Sequence, residues 1–174
     1  MKILFVQTGG TIDKDYPKTT NGWGFEIGEP AVRRLLEERL NPTFDYEFVT
    51  VCQKDSTQIT DQDRLAMGKA IEQQLEQPNS LDGVIVTHGT DTLIETATYL
   101  ATTLTPTTRV PIILTGAMRP ERFTNSDADC NVGMAIGALQ MASHDFVGIC
   151  MHGRVLSYDK AGRDLQTGKF IPKV

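Results

Sequence analysis

Cysteine is scarce: Cys52, Cys130 and Cys150 are the only three in 174 residues. An odd number with no C-x-x-C spacing builds neither a disulfide framework nor a zinc site. Each lies in or beside an apolar stretch, so buried thiols in a reducing compartment are expected. Long hydrophobic runs are also missing. Nothing approaches the roughly 20 apolar residues of a membrane span. After Lys2 only four apolar residues precede Gln7, too few for a secretory signal. A cytoplasmic protein with no membrane partner follows as the expectation. Positive charge is in deficit, with 17 Lys and Arg against 22 Asp and Glu and a net charge of −5. That balance argues against a nucleic-acid partner. Arg33-Arg34 stands among Glu37 and Glu38 and reads as a solvated helix face. No repeat or low-complexity segment interrupts the chain.

What is present is 40% hydrophobic content, enough for one compact domain over residues 1–174. Short apolar runs recur at Ile3–Val6, Phe48–Cys52, Val84–Val86, Ile112–Leu114 and Phe146–Met151. Most are nearly continuous, as strands buried on both faces are. The run from Tyr46 to Val51 alternates more and is expected nearer an edge. Helical patterns separate the runs. Pro30–Leu40 opens on a proline and carries Val32, Leu35, Leu36 and Leu40 on one side. Thr60 and Asp63 form a capping pair ahead of Leu65, Met67, Ala70, Ile71 and Leu75. Two more helices are expected over Asp91–Leu104, stopping before Pro106, and over Asp127–Ala142. Strand and helix in alternation predict a three-layer α/β fold. Its sheet is mostly parallel, flavodoxin-like in order, with helices on both faces.

In such folds ligands bind outside the carboxyl ends of the strands. The segments found there are Thr8-Gly9-Gly10-Thr11, Asp55-Ser56-Thr57, Thr87-His88-Gly89-Thr90-Asp91, Thr115-Gly116-Ala117-Met118-Arg119-Pro120 and His152-Gly153-Arg154. Hydroxyls, glycines and a few charges converge, which a binding site requires and a core does not. The first segment has three readings. A glycine turn after a strand can cradle phosphate, but neither G-x-x-x-x-G-K-[ST] nor G-x-G-x-x-G is present. A plain tight turn explains Gly9 and Gly10 but not the flanking threonines. The third reading makes Thr11 a nucleophile, with turn N–H groups offered to an oxyanion. The 87–92 segment also divides. Thr90 or Asp91 caps a helix, or Thr90 is a second active hydroxyl and Asp91 a carboxylate for a substrate cation. His88 suggests a catalytic triad, but no G-x-S-x-G elbow accompanies it, and a structural histidine is the preferred reading.

Taken together, TGGTI at 8–12, HGTDT at 88–92 and GAMRP at 116–120 resemble the signatures of the bacterial-type L-asparaginases. The resemblance runs from Met1 to about Asp164 and corresponds to the family's N-terminal domain, as in short-chain members. It implies hydrolysis of L-asparagine to L-aspartate and ammonia through a β-aspartyl acyl-enzyme, with no metal or other cofactor. By position, Thr11 matches the nucleophile and Tyr16 the tyrosine that activates it from a lid spanning Asp13–Trp23 with Gly22 and Gly24. Ser56, supported by the backbone of Thr57, matches the holder of the substrate α-carboxylate. Thr90 and Asp91 match the second threonine and the aspartate that takes the α-ammonium. Gly10 and Gly89 fall in the same substrate pocket. The family lysine that pairs with this aspartate falls on Lys160, while a gap-free alignment puts Arg163 there. Lys160 is preferred because a lysine can lose its proton in a dry site. Asp127, Asp129 and Asn131 are expected to cap a helix and fix the loop. A homodimer or homotetramer is implied. Two-domain members borrow a glutamate from a neighbouring subunit's second domain, so a high KM and low glutaminase activity are expected without one. Two alternatives stand beside this reading: an amidohydrolase for glutamine or a D-amino acid amide, and a non-catalytic sensor of aspartate or asparagine.

Overall fold

The computed structural model describes residues 1–16, 24–77, 81–104 and 110–173. The central sheet is built first from β1 (Lys2–Gly9), whose side chains are almost all buried. A 3-10 turn (Thr11–Asp13) leads into a small antiparallel ribbon of β2 (Lys14–Asp15) and β3 (Glu26–Ile27). Helix α1 (Ala31–Arg34) continues as a π-helical stretch over Leu35–Leu40 and stops at Asn41, whose φ is 45°. Then come β4 (Asp45–Lys54), α2 (Asp61–Leu75), β5 (Gly83–Thr87), α3 (Leu93–Thr103), β6 (Ile112–Thr115), α4 (Ala128–Met141) and β7 (Val147–Met151). The chain closes with β8 (Arg154–Ser157), β9 (Ala161–Arg163) and β10 (Phe170–Pro172).

The main sheet has the order β4-β1-β5-β6-β7-β8. All its pairings are parallel except β7 with β8. Counting only the parallel strands, the order is 2-1-3-4-5, the flavodoxin-like arrangement expected. The alternating strand, β4, lies at the edge as its pattern implied.

Alternation along each strand divides the core into two layers. Ile3, Phe5, Ile85, Ile113 and Cys150 face α1 and α4, against Val32, Leu36, Val132 and Leu139. Leu4, Val6, Val84, Val86, Leu114 and Met151 face α2 and α3, against Met67, Ile71, Ala97 and Leu100. Helices therefore cover both faces. Thr60 caps α2 with the reciprocal Asp63 bonds its sequence announced. Helix α3 begins at Leu93, two residues later than expected, because His88 to Thr92 forms an irregular corner at the site. Among the described residues no helix is long and apolar enough to cross a membrane. The thiols are free, but Cys130 is exposed and Cys52 half-buried. Only Cys150 meets the expectation of burial, because Cys130 sits on the outer face of α4. The Pro106 stop and residues 17–23 of the expected lid lie outside the described residues.

Candidate active site

The site is assembled by backbones that touch. Gly10 has φ of 84°, and a Cβ there would stand 2.3 Å from Gly89 N and 2.4 Å from its Cα. A Cβ at Gly89 would stand 2.6 Å from Ser56 Cβ. The turns after β1, β4 and β5 are thus packed at a distance only glycine permits. Hydrogen bonds fix their order. Thr8 Oγ1 donates to Thr87 O at 2.9 Å, and Gly10 N donates to Lys54 O at 2.9 Å. The loop after β6 joins through His88 N, which donates to Thr115 O at 2.9 Å. This arrangement brings Thr11, Ser56, Thr90 and Asp91 to the carboxyl ends of adjacent strands.

Each predicted residue has a definite setting. Thr11 is half-buried and opens the 3-10 turn. Thr90 is buried, with 8% of its surface exposed. Ser56 is buried, and its Oγ accepts from Asp91 N at 3.1 Å. That leaves the Ser56 hydroxyl proton for an acceptor, as a carboxylate would require. Thr57 is exposed, and its N–H is taken by Asp55 Oδ1 at 3.2 Å. The Thr57 amide is therefore engaged by its own turn rather than turned toward a ligand. Tyr16 is exposed and packs on Phe25 at 4.2 Å between ring centres, with Phe123 at 6.1 Å. Strand β2, just before it, is held by Lys14 Nζ to Asp55 Oδ2 at 2.7 Å and by Arg122 to Asp15 at 3.4 Å. The Lys14 bond, followed by the Thr57 amide, holds the Asp55 carboxyl below its ordinary value.

The cation beside Asp91 is Arg163, not Lys160. Arg163 Nη1 donates to Asp91 Oδ1 at 3.0 Å and to Thr90 O at 2.8 Å. Lys160 is exposed in the turn between β8 and β9. Sequence reasoning preferred lysine for its proton chemistry, but the hairpin of β9 and β10 carries position 163 back over the corner. The gap-free alternative had pointed there.

His88 is not available for catalysis. Nδ1 meets Gly89 O at 2.7 Å and must donate to it, since a carbonyl only accepts. Nε2 meets Thr96 Oγ1 at 2.9 Å, and that hydroxyl in turn accepts from Arg64 Nε at 3.1 Å. Burial pushes the imidazole down to about 4, so it is neutral at pH 7. Asp127 does not cap α4 through its side chain. Its carboxylate accepts from Met118 N at 3.0 Å, Arg119 N at 3.1 Å and Asn131 Nδ2 at 2.8 Å. It therefore fixes the Gly116–Pro120 loop, while Asp129 is turned to Arg39.

Two residues near the site went unread in the sequence. Asp13 is buried; its carboxylate accepts from Ala31 N at 2.7 Å and Gln7 Nε2 at 3.0 Å. Burial pushes its carboxyl up to about 7, against the pull of those two donors and of Arg34. Glu121 is also buried and binds Arg34 and Arg39. An aspartate two residues after the nucleophile candidate was the only signal for the first, and nothing local marked the second. Among the described residues, no three His, Cys, Asp or Glu side chains gather to hold a metal ion.

Residues 2–163 match the family model of the asparaginase N-terminal domain. The L-asparaginase of Thermococcus kodakarensis is 34% identical over 149 residues, covering 86% of this chain and 43% of its own length. A glutaminase-asparaginase of Acinetobacter glutaminasificans is 29% identical over 170 residues, covering 95% and 49%. In three dimensions the thermostable T. kodakarensis enzyme superposes with a TM-score of 0.80 at 25% identity, over 99% of this chain and 51% of that one. A probable cytoplasmic L-asparaginase of Campylobacter jejuni gives 0.74 at 26% identity, over 93% and 48%. The chain spans about half the length of these relatives. With that match over nearly its whole length, and with both threonine motifs at adjacent strand ends, the chain belongs to the asparaginase family.

Proposed function

We propose that the chain hydrolyses the side-chain amide of L-asparagine, giving L-aspartate and ammonia. The observation that carries the reading is the glycine-built junction that sets Thr11 beside the Ser56 and Thr90–Asp91 turns. In this reading Thr11 Oγ attacks the amide carbon, and N–H groups of its turn meet the oxyanion. The hydroxyl proton leaves with the nitrogen as ammonia, with Tyr16 assisting its transfer. A β-aspartyl ester on Thr11 remains. Water oriented by Thr90 then attacks that ester, and its proton restores the Thr11 hydroxyl. Ser56 takes the substrate α-carboxylate and Asp91 the α-ammonium, which selects an α-amino acid rather than any amide. The names of the relatives support the reaction class, and the glutaminase-asparaginase among them makes L-glutamine the second amide to test. Free thiols and the cytoplasmic neighbour favour a cytoplasmic setting, and an oligomer accords with the family.

Ammonia release from L-asparagine and L-glutamine by the purified chain tests this, beside Thr11→Ala and Thr90→Ala. Each substitution is expected to lower kcat by at least about 100-fold. Turnover unchanged in Thr11→Ala would remove the nucleophile assignment.

A further inference from the structure

The β9–β10 hairpin reaches the candidate site through one side chain. Arg163 is mostly buried, with 21% of its side chain exposed. A single nitrogen, Nη1, serves both Thr90 O at 2.8 Å and Asp91 Oδ1 at 3.0 Å. The other end of the guanidinium is fixed from behind. Nε donates to Gly168 O at 3.3 Å, and the planar group lies 5.5 Å from the centre of the Phe170 ring. Phe170 is itself held by its N–H to His152 Nδ1 at 3.2 Å. The side chain is thus preorganised before it meets the corner.

We propose that Arg163 is the positioning residue of the Thr90–Asp91 corner, acting as a permanent cation rather than as a proton carrier. The inference rests on the reading given under Proposed function. Gripping the Thr90 carbonyl sets the direction of the adjoining side chains. Binding Asp91 Oδ1 fixes the orientation of that carboxylate and leaves its other oxygen for a substrate ammonium. Recognition of the ammonium then falls mainly to Asp91 Oδ2, since Oδ1 already accepts from Arg163. Because a guanidinium keeps its proton across the working pH range, no proton passes through this position. Asp91 faces Arg163 from the corner after β5, the Asp164 carboxylate is turned to Gln166 N and Thr167 Oγ1, and His152 stacks on Phe170 at 5.8 Å.

The test compares the full chain with Arg163→Met and Arg163→Lys. Two quantities are read: kcat and KM for L-asparagine across about pH 6 to 10, and L-aspartate affinity by calorimetry. Arg163→Met is expected to raise KM and weaken L-aspartate by roughly tenfold, with a smaller fall in kcat. Arg163→Lys is expected to stay within about threefold of the parent at neutral pH and to gain a new alkaline limb, since an ammonium can deprotonate there. Met values within about twofold of the parent in both measurements would overturn the proposal. Should Arg163→Met not fold, the Lys variant decides: a pH profile identical to the parent's overturns it. A parent chain that neither turns over L-asparagine nor binds L-aspartate removes the proposed function, and this inference with it. A parent that does both while the variants match it removes the inference alone.

Discussion

At the scale of a residue, the site depends on atoms that are missing. A methyl group at Gly10 would meet the backbone of Gly89, which has nowhere to retreat because it already lies on Ser56. The φ of 84° adds strain for any L side chain. Gly10→Ala is therefore expected to lower stability by roughly 3 kcal/mol and to lower activity with it. Gly133 is the contrast: it lies within α4, and a Cβ there would meet nothing within 4 Å. Gly133→Ala is expected to raise stability by up to about 1 kcal/mol. Urea unfolding of the two variants checks the pair, and equal effects would contradict the packing argument. Gly9 and Gly10 were legible in the sequence as a turn. That the turn touches Gly89 was not, since 79 residues separate the two positions and only the pairing of β1 with β5 brings them together.

At the scale of elements, Glu121 joins α1 to the loop that precedes α4. Its carboxylate is 1% exposed and accepts from Arg34 Nε at 2.9 Å, while Arg39 Nη2 binds it at 2.7 Å. Its own N–H donates to Ile12 O at 3.2 Å, next to the Thr11 turn. Removing the carboxylate leaves Arg34, only 17% exposed, without this partner. Arg39 is half-exposed and adds little. Glu121→Ala is expected to lower stability by about 3 kcal/mol, read by denaturant midpoints. A loss below about 1 kcal/mol would mean the pair merely offsets its own desolvation. The five parallel strands were readable as short apolar runs and the four helices from their apolar faces. The short strands β2, β3, β8, β9 and β10 were not. They have two to four residues each, too few for any period, and are defined only by their partners.

For the whole molecule, two buried groups oppose each other in the pH dependence of stability. Burial lowers His88 from 6.5 to about 4. Its contribution is present above pH 6.5 and is lost as pH falls toward 4, because the unfolded chain binds the proton first. Burial raises Asp13 from 3.8 to about 7. Its contribution is complete below 3.8 and is lost as pH rises through 7. The two slopes offset between about pH 4 and 6.5, and above that only the Asp13 decline remains. Asp13→Asn is expected to remove the decline near neutrality and to expose a rise in stability from about pH 4 to 6.5. Urea midpoints measured from about pH 4 to 8 check it, and an unchanged curve shape would sink the assignment.

The sequence by itself determined the layered α/β fold and the gathering of TGGTI, DST and HGTDT at one edge, while the strand pairings decided the order of the sheet. Those features follow from short apolar runs alternating with apolar-faced helices and from the rule that strands of a parallel sheet end together. Tertiary structure alone decided which cation meets Asp91, that both His88 nitrogens are occupied, and that Asp13 and Glu121 lie buried beside the site. Each of these depends on contacts between residues distant in the chain. Composition cannot choose between Lys160 and Arg163. The path of the β9–β10 hairpin does, by bringing the guanidinium within hydrogen-bond reach of the corner.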